Sequence, residues 1–186
     1  MKLIGGIVIG LLLAVGGMLL FALSGAFDVA ATSPDSSISQ WLFRTTMRRS
    51  VATRSSDIPP PQFTDEGAKD GFKEFSEMCT GCHGAPGKPP RAVGKGLNPR
   101  PPDLAKTVPT WDDGNLFWII KNGIKMTAMP AFGRTHDDQT IWNIVAFLKK
   151  LPGMTPEQYE ALQGQAGGAE EHEHHHEQGP EQEHEH

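Results

Sequence analysis

Hydrophobic positions along the chain follow three different patterns, and the first is continuous. No charged side chain occurs between Leu3 and Phe27, a run of 25 residues. About 20 apolar residues are enough to span a hydrocarbon core, whereas a secretory signal has an apolar region of only about 7–15 residues. The run therefore favours one transmembrane helix that stays on the mature chain. Cleavage near Ala26 or at Ala30–Ala31 is the alternative.

The second pattern has the spacing of one helix face. Ile141, Ile144, Val145 and Leu148 recur at i, i+3, i+4 and i+7, and Asp137 stands at the expected N-cap position. Cap residues and apolar spacing indicate three more helices. Their predicted ranges are 65–78, 115–122 and 155–162. Between 84 and 102, glycines and prolines predict an irregular segment. The predicted fold class is all-α.

The third pattern, over residues 38–56, is only partly amphipathic. Phe43, Met47 and Val51 would share one helix face, and Ile38, Trp41 and Leu42 would lie on roughly the opposite side. Two environments suit this basic stretch. Its apolar groups could enter a membrane surface with the arginines at the headgroups, or the segment could pack on the following domain or on a partner subunit. A proline-rich spacer follows at Pro59–Pro61.

The distribution of charge predicts an orientation for the first run. Lys2 and the amino terminus precede it, whereas Asp28 and Asp35 follow it before the first arginine, Arg44. Basic residues remain preferentially on the cytoplasmic side of a span. We therefore expect the amino terminus in the cytoplasm and the bulk of the chain on the outer face of the cytoplasmic membrane.

The net charge of −5 belongs to the C-terminal segment. Residues 164–186 are rich in Gly, Glu, Gln and His, and seven glutamates and six histidines fall between Glu170 and His186. Such a composition cannot bury a core and predicts disorder. His-rich tracts can bind transition metals, with copper and nickel favoured. The alternative is a solvated tail with adventitious metal affinity or part of a tag.

The chemistry of the chain is concentrated in one pentapeptide. Cys79 and Cys82 are the only two cysteines, and His83 follows directly. C-x-x-C-H is the attachment signature of c-type haem, in which two thiols form thioethers with the vinyl groups and the histidine ligates the iron. A zinc site needs four ligands, and His136 is the only further histidine before the tail. A redox pair would need a βαβ context, and a structural disulfide would leave His83 unexplained.

Residues around the pentapeptide carry a family resemblance. Gly71 and Phe75 precede Cys79 at four-residue intervals, and Ile144 and Phe147 lie in the later helix. With this spacing, residues 66–151 resemble class I cytochromes c, in which two such helices cross. The resemblance implies one covalently attached haem c. It also implies that a carbonyl group in the 99–102 stretch accepts a hydrogen bond from His83. In that family, haem attachment in bacteria takes place outside the cytoplasmic membrane.

The sixth iron ligand is expected from the Met129–Gly133 run, which resembles the axial-ligand loop of many class I cytochromes c. Met129 is followed by proline, which favours an extended loop conformation, and Met126 is the competing candidate. A thioether raises the reduction potential relative to a second histidine. Trp111 and Trp118 are expected to be core residues, with a haem propionate contact as the alternative.

Together these patterns predict four segments: a transmembrane anchor or signal at 1–27, the basic stretch and proline linker at 28–62, a cytochrome c domain at 63–163 and the tail at 164–186. The predicted function is single-electron transfer without catalysis by this chain alone. Donor and acceptor proteins and the membrane are the expected partners, and no nucleic acid is expected. The alternatives are an electron-relay subunit of a membrane oxidase or dehydrogenase, and a haem sensor or enzyme with a labile sixth ligand.

Overall fold

The computed structural model describes residues 2–173, and the chain divides into two compact units between Ser36 and Ser37. The first unit contains helix α1, Lys2–Leu23. Residues Leu3–Leu23 form a helix long and apolar enough to cross a membrane, and none of this stretch is buried within the protein. A signal sequence would have the same properties, so the finding agrees with either interpretation of the uncharged run.

The second unit is built from helices, and no strand occurs among the residues that the structure describes, which confirms the all-α prediction. Its α-helices are α2 Ser37–Ser55, α3 Asp65–Glu74, α4 Thr80–His83, α5 Ala92–Lys95, α6 Leu104–Thr107, α7 Asp113–Asn122, α8 Asp138–Leu148 and α9 Pro156–Glu173. A π-helical turn, Phe75–Cys79, joins α3 to α4, and short 3-10 helices occur at Val108–Thr110 and Phe132–Arg134.

The core of this unit forms where α3 crosses α8. A Cβ built on Gly71 would lie 1.8 Å from the carbonyl oxygen of Asn143, so the two backbones are in direct contact. The rings of Phe72 and Phe75 pack beside this crossing against Phe147, with centroids 5.2 and 4.9 Å away. Glycine is required because any side chain would separate the two helices.

Helix α2 packs on the domain through its C-terminal half. Val51 is buried, and the Arg48 guanidinium lies 4.1 Å from the ring centroid of Trp111 and donates a 3.0 Å hydrogen bond to the Thr110 carbonyl. Ser55 is also buried and accepts a hydrogen bond from the amide of Asn115. The second half of α2 therefore occupies the protein-packed environment, one of the two that the sequence left open.

Helix α9 also contributes to the core, although it takes no part in the crossing of α3 and α8. Thr155 and Gln158 form a capping box at the start of this helix, with reciprocal hydrogen bonds of 2.9 and 3.3 Å. Tyr159 is fully buried against Phe72 and Phe75.

The helix continues to Glu173, past the expected end at Leu162 and into the segment for which disorder was predicted. Glutamine, alanine and glutamate favour helix, so the backbone can continue without a core to cover. The remaining tail, 174–186, with most of the histidines, lies outside the described residues.

Candidate functional site

Both cysteines and His83 lie at the end of one long helical segment. α3 runs into the π-helical turn Phe75–Cys79 and then into α4 without a break. The sequence predicted that this helix would deliver Cys79 at its end, but the π-helical turn gave no sequence signal. Such a turn contains one residue more than an α-turn and often occurs at functional sites. The Thr80 hydroxyl supports it by donating a 2.8 Å hydrogen bond to the Ser76 carbonyl.

The two thiols are half-buried and are not joined to each other. Burial raises the pKa of the Cys79 thiol to about 12. Reactive cysteines of disulfide oxidoreductases have a lowered pKa instead, so the redox-pair interpretation has no support here. The described residues also contain no group of three or more His, Cys, Asp and Glu side chains arranged to hold a metal ion, which argues against zinc.

The irregular segment that follows packs tightly against the pentapeptide. The Arg91 backbone N–H donates a 3.0 Å hydrogen bond to the Gly81 carbonyl. A Cβ on Gly94 would lie 2.7 Å from the Cys82 carbonyl oxygen. Because backbone meets backbone here, α5 and α4 form one unit, and the loop fixes the direction in which the motif faces.

The His83 ring is oriented by a backbone carbonyl. Its Nδ1 lies 2.9 Å from the Pro102 carbonyl oxygen, inside the 99–102 stretch that was expected to supply this acceptor. A carbonyl only accepts, so Nδ1 carries the proton and Nε2 keeps a lone pair for a metal. Burial lowers the pKa of His83, partly offset by the bond to Pro102, so the neutral ring is favoured.

The two candidate methionines differ sharply in their surroundings. Met129 is half-buried and packs against the hydrophobic core. Two hydrogen bonds fix the backbone of Met129 within its loop. Its N–H donates to Thr127 Oγ1 at 3.1 Å, and its carbonyl accepts from the Ile124 N–H at 3.2 Å. Met126 is 91% exposed and has a positive φ of 62°. Of these two candidates, Met129 has the partial burial expected of an iron ligand, and Met126 does not.

His136 and Trp111 have contacts that the sequence did not indicate. The His136 ring packs on Phe132, and its Nε2 lies 3.6 Å from a carboxylate oxygen of Glu74. This pair connects the loop after Met129 to the end of α3. Trp111 is covered by Arg48 rather than by the core alone. Sequence spacing carries no signal for pairs so distant along the chain.

The residues at this site suit a haem c group. They offer two thiols, an imidazole with a free Nε2 and a half-buried thioether, which is the donor set of a His/Met-ligated haem. Two of these donors, Cys79 and Met129, are partly buried against the hydrophobic core, and so are the nearby apolar residues Ala85, Leu104 and Phe132. Such partly apolar surroundings suit a porphyrin. The Tyr159 hydroxyl is buried without a hydrogen-bond partner among the described residues.

Comparison with known proteins agrees with the geometry. Residues 66–148 match the family described as cytochrome C oxidase, cbb3-type, subunit III, which is somewhat less than half of the chain. No curated protein matches the sequence. The family implies haem c binding and a role in electron transfer, and it suggests redox partners in a membrane complex. With the all-α fold and the Cys79–His83 motif, the match identifies residues 66–148 as a cytochrome c domain of class I.

Proposed function

We propose that the chain is a single-haem electron carrier, anchored by α1 in the cytoplasmic membrane with its cytochrome domain on the outer face. Cys79 and Cys82 would hold the haem through thioether bonds, and His83 and Met129 would be the two protein ligands of its iron. The bond between His83 Nδ1 and the Pro102 carbonyl is the single observation that carries this proposal, because it orients Nε2 as a ligand.

Each residue of the site has a defined task in this function. When bound, haem iron supplies a one-electron couple between the ferric and ferrous states. His83 keeps a fixed orientation through Pro102, and Met129 contributes a sulfur ligand that favours the ferrous state. The packed loops around Gly94 and Ile124 limit movement of both ligands. With both His83 and Met129 held as protein ligands of the haem iron, we would expect the domain to transfer electrons without catalysing a reaction itself.

The family that the domain matches supports a role as a subunit of a larger complex. The description of that family is a subunit of a cbb3-type cytochrome c oxidase. We propose that this chain passes electrons to an integral membrane partner of the oxidase or dehydrogenase type. The α1 helix keeps the domain close to such a partner.

A test of the proposal uses the full chain, produced in bacteria that attach haem c. A denaturing gel stained for haem should show a coloured band at the mass of the chain. The oxidised protein should show the weak near-infrared band of a thioether–ferric pair and bind no carbon monoxide when reduced. Cys79→Ser should lose most of the coloured band.

Two results would contradict this function. Complete extraction of haem from the unmodified protein by acid acetone would exclude thioether attachment. Rapid binding of carbon monoxide together with a missing near-infrared band would favour the alternative, a haem sensor or enzyme with a labile sixth ligand. A mature amino terminus after residue 26 or 31 would replace the anchor with a cleaved signal while leaving the haem assignment intact.

A further inference from the structure

The first half of α2 exposes apolar side chains that the domain leaves uncovered. Trp41 is 66% exposed and Phe43 is 70% exposed, and Ile38 and Leu42 are also largely accessible. More than two turns further on, the same helix becomes buried at Val51. We call Ile38, Trp41 and Leu42 the α2 apolar patch, and Phe43 lies on roughly the opposite side of the helix. A group of large apolar side chains exposed on one face marks an interaction site.

The charge of α2 indicates what this surface contacts. Between Ser37 and Ser55 the chain has four arginines and no acidic residue. Arg48 is engaged with Trp111 and Thr110, whereas Arg44 and Arg49 beside the patch are exposed. Apolar and aromatic groups next to exposed arginines match a bilayer surface that contains anionic lipid.

The position of α2 along the chain also supports a bilayer as the surface that the patch contacts. Only residues 24–36 separate the end of α1, at Leu23, from the start of α2, at Ser37. A fully extended chain reaches at most about 3.5 Å per residue, so this segment keeps α2 near the surface that α1 leaves. A short tether of this kind gives a weak surface contact a high effective concentration.

We propose that the α2 apolar patch binds the outer surface of the bilayer, with its apolar side chains among the acyl chains and Arg44 and Arg49 at anionic headgroups. The inference rests on the proposed function in one respect, namely that α1 remains as the anchor. Because Arg48, Val51 and Ser55 attach the second half of α2 to the cytochrome domain, this contact also orients the domain on the membrane.

Photo-crosslinking of the full chain tests the proposal. Benzoylphenylalanine replaces Trp41 in one variant and Val93 in a control variant, since Val93 is an apolar residue of α5 with a similar exposure of 62%. Each protein is placed in nanodiscs of phosphatidylcholine and phosphatidylglycerol in equal parts, and in native membranes. We expect phospholipid adducts several-fold more abundant from position 41 than from position 93. Arg44→Gln with Arg49→Gln should lower the yield, and so should nanodiscs of phosphatidylcholine alone.

Other products would overturn the proposal. A crosslink to a second copy, or to another protein in native membranes, would make the patch a protein interface. Equal yields at positions 41 and 93 would show that it faces solvent. The mass of the intact chain and its haem spectrum, measured on the same samples, report separately whether α1 is retained and whether the haem site is formed. Failure of the lipid contact is thus distinguishable from failure of the proposed electron-transfer function.

Discussion

Gly71 and Asn143 are in backbone contact across the crossing of α3 and α8, although they are separated by most of the cytochrome domain in sequence. The missing side chain of Gly71 is what allows this approach, since an added Cβ would meet the Asn143 carbonyl carbon at 2.3 Å. The contact fixes the helix that carries Phe75 and Cys79 against the helix that carries Ile144 and Phe147. The haem motif therefore depends on a contact about two helical turns away from it.

Gly71→Ala should destabilise the domain strongly. The clash is with backbone atoms, which cannot move aside without separating the helices, so we expect a loss of about 3 kcal/mol or more in the free energy of unfolding. Denaturant unfolding of the haem-loaded protein measures it. Gly96→Ala is the matched control, because its Cβ would meet nothing closer than 3.7 Å. Equal stability of the two variants would contradict the crossing described here.

Met129→Ala and Met126→Ala should have opposite outcomes. Loss of the half-buried thioether should abolish the near-infrared band, lower the reduction potential and open the iron to carbon monoxide. Loss of the exposed Met126 side chain should leave the near-infrared band, the reduction potential and the response to carbon monoxide unchanged. Haem should stay attached in both, because attachment depends on the cysteines. If Met126→Ala alone removes the band, Met126 is the ligand.

Tyr159 offers a test of the core behind the haem motif. Tyr159→Ala should cost about 3–5 kcal/mol of stability, as for other large aromatic residues cut back to alanine. Tyr159→Phe should be nearly neutral or slightly stabilising, because the buried hydroxyl has no partner among the described residues. Thermal unfolding of both variants checks this. A clear loss in Tyr159→Phe would mean that the bound haem supplies a partner for the hydroxyl.

The N-cap of α8 predicts a pH dependence. The Asp137 carboxylate accepts a 2.8 Å hydrogen bond from the Thr140 N–H, and this bond lowers the pKa of Asp137 below its ordinary value of 3.8. A lowered pKa in the folded state contributes stability at pH values above 3.8, and that contribution disappears as the pH falls through the folded pKa.

Asp137→Ala should therefore lower Tm at pH 7 and have little effect near pH 2. Asp137→Asn is the control, because asparagine caps without a titratable group. At pH 7 its Tm should lie between those of Asp137→Ala and the unmodified protein, and near pH 2 it should lie close to that of the unmodified protein. A loss of Tm in Asp137→Ala that is the same at both pH values would show that the charge of Asp137 makes no contribution.

Sequence patterns predicted the parts of the site that depend on local spacing. Local spacing and cap residues predicted the capped α8, and the resemblance to class I cytochromes c implied the crossing at Gly71 and the carbonyl acceptor within 99–102. All three agree with the structure. The choice between Met129 and Met126 gained its strongest support from burial, which the sequence does not contain.

Features that arise from tertiary packing had no comparable signal. Tyr159 reaches the core from a helix with little apolar periodicity, so nothing along α9 marks it as buried. The contact of Arg48 with Trp111 joins residues more than sixty positions apart. Only side-chain packing decided which half of α2 was covered and which half was left exposed.

The π-helical turn at Phe75–Cys79 determines how the domain would respond to the deletion of a residue in this segment. One extra residue rotates everything after it by about 100° around the helix axis. The helical segment therefore has two registers, which differ by this rotation. The register before the turn sets the contact of α3 with α8, and the register after the turn sets the direction of the two thiols and the imidazole. Deleting a single residue within the turn would keep both halves helical yet point the attachment motif at the wrong side of the molecule.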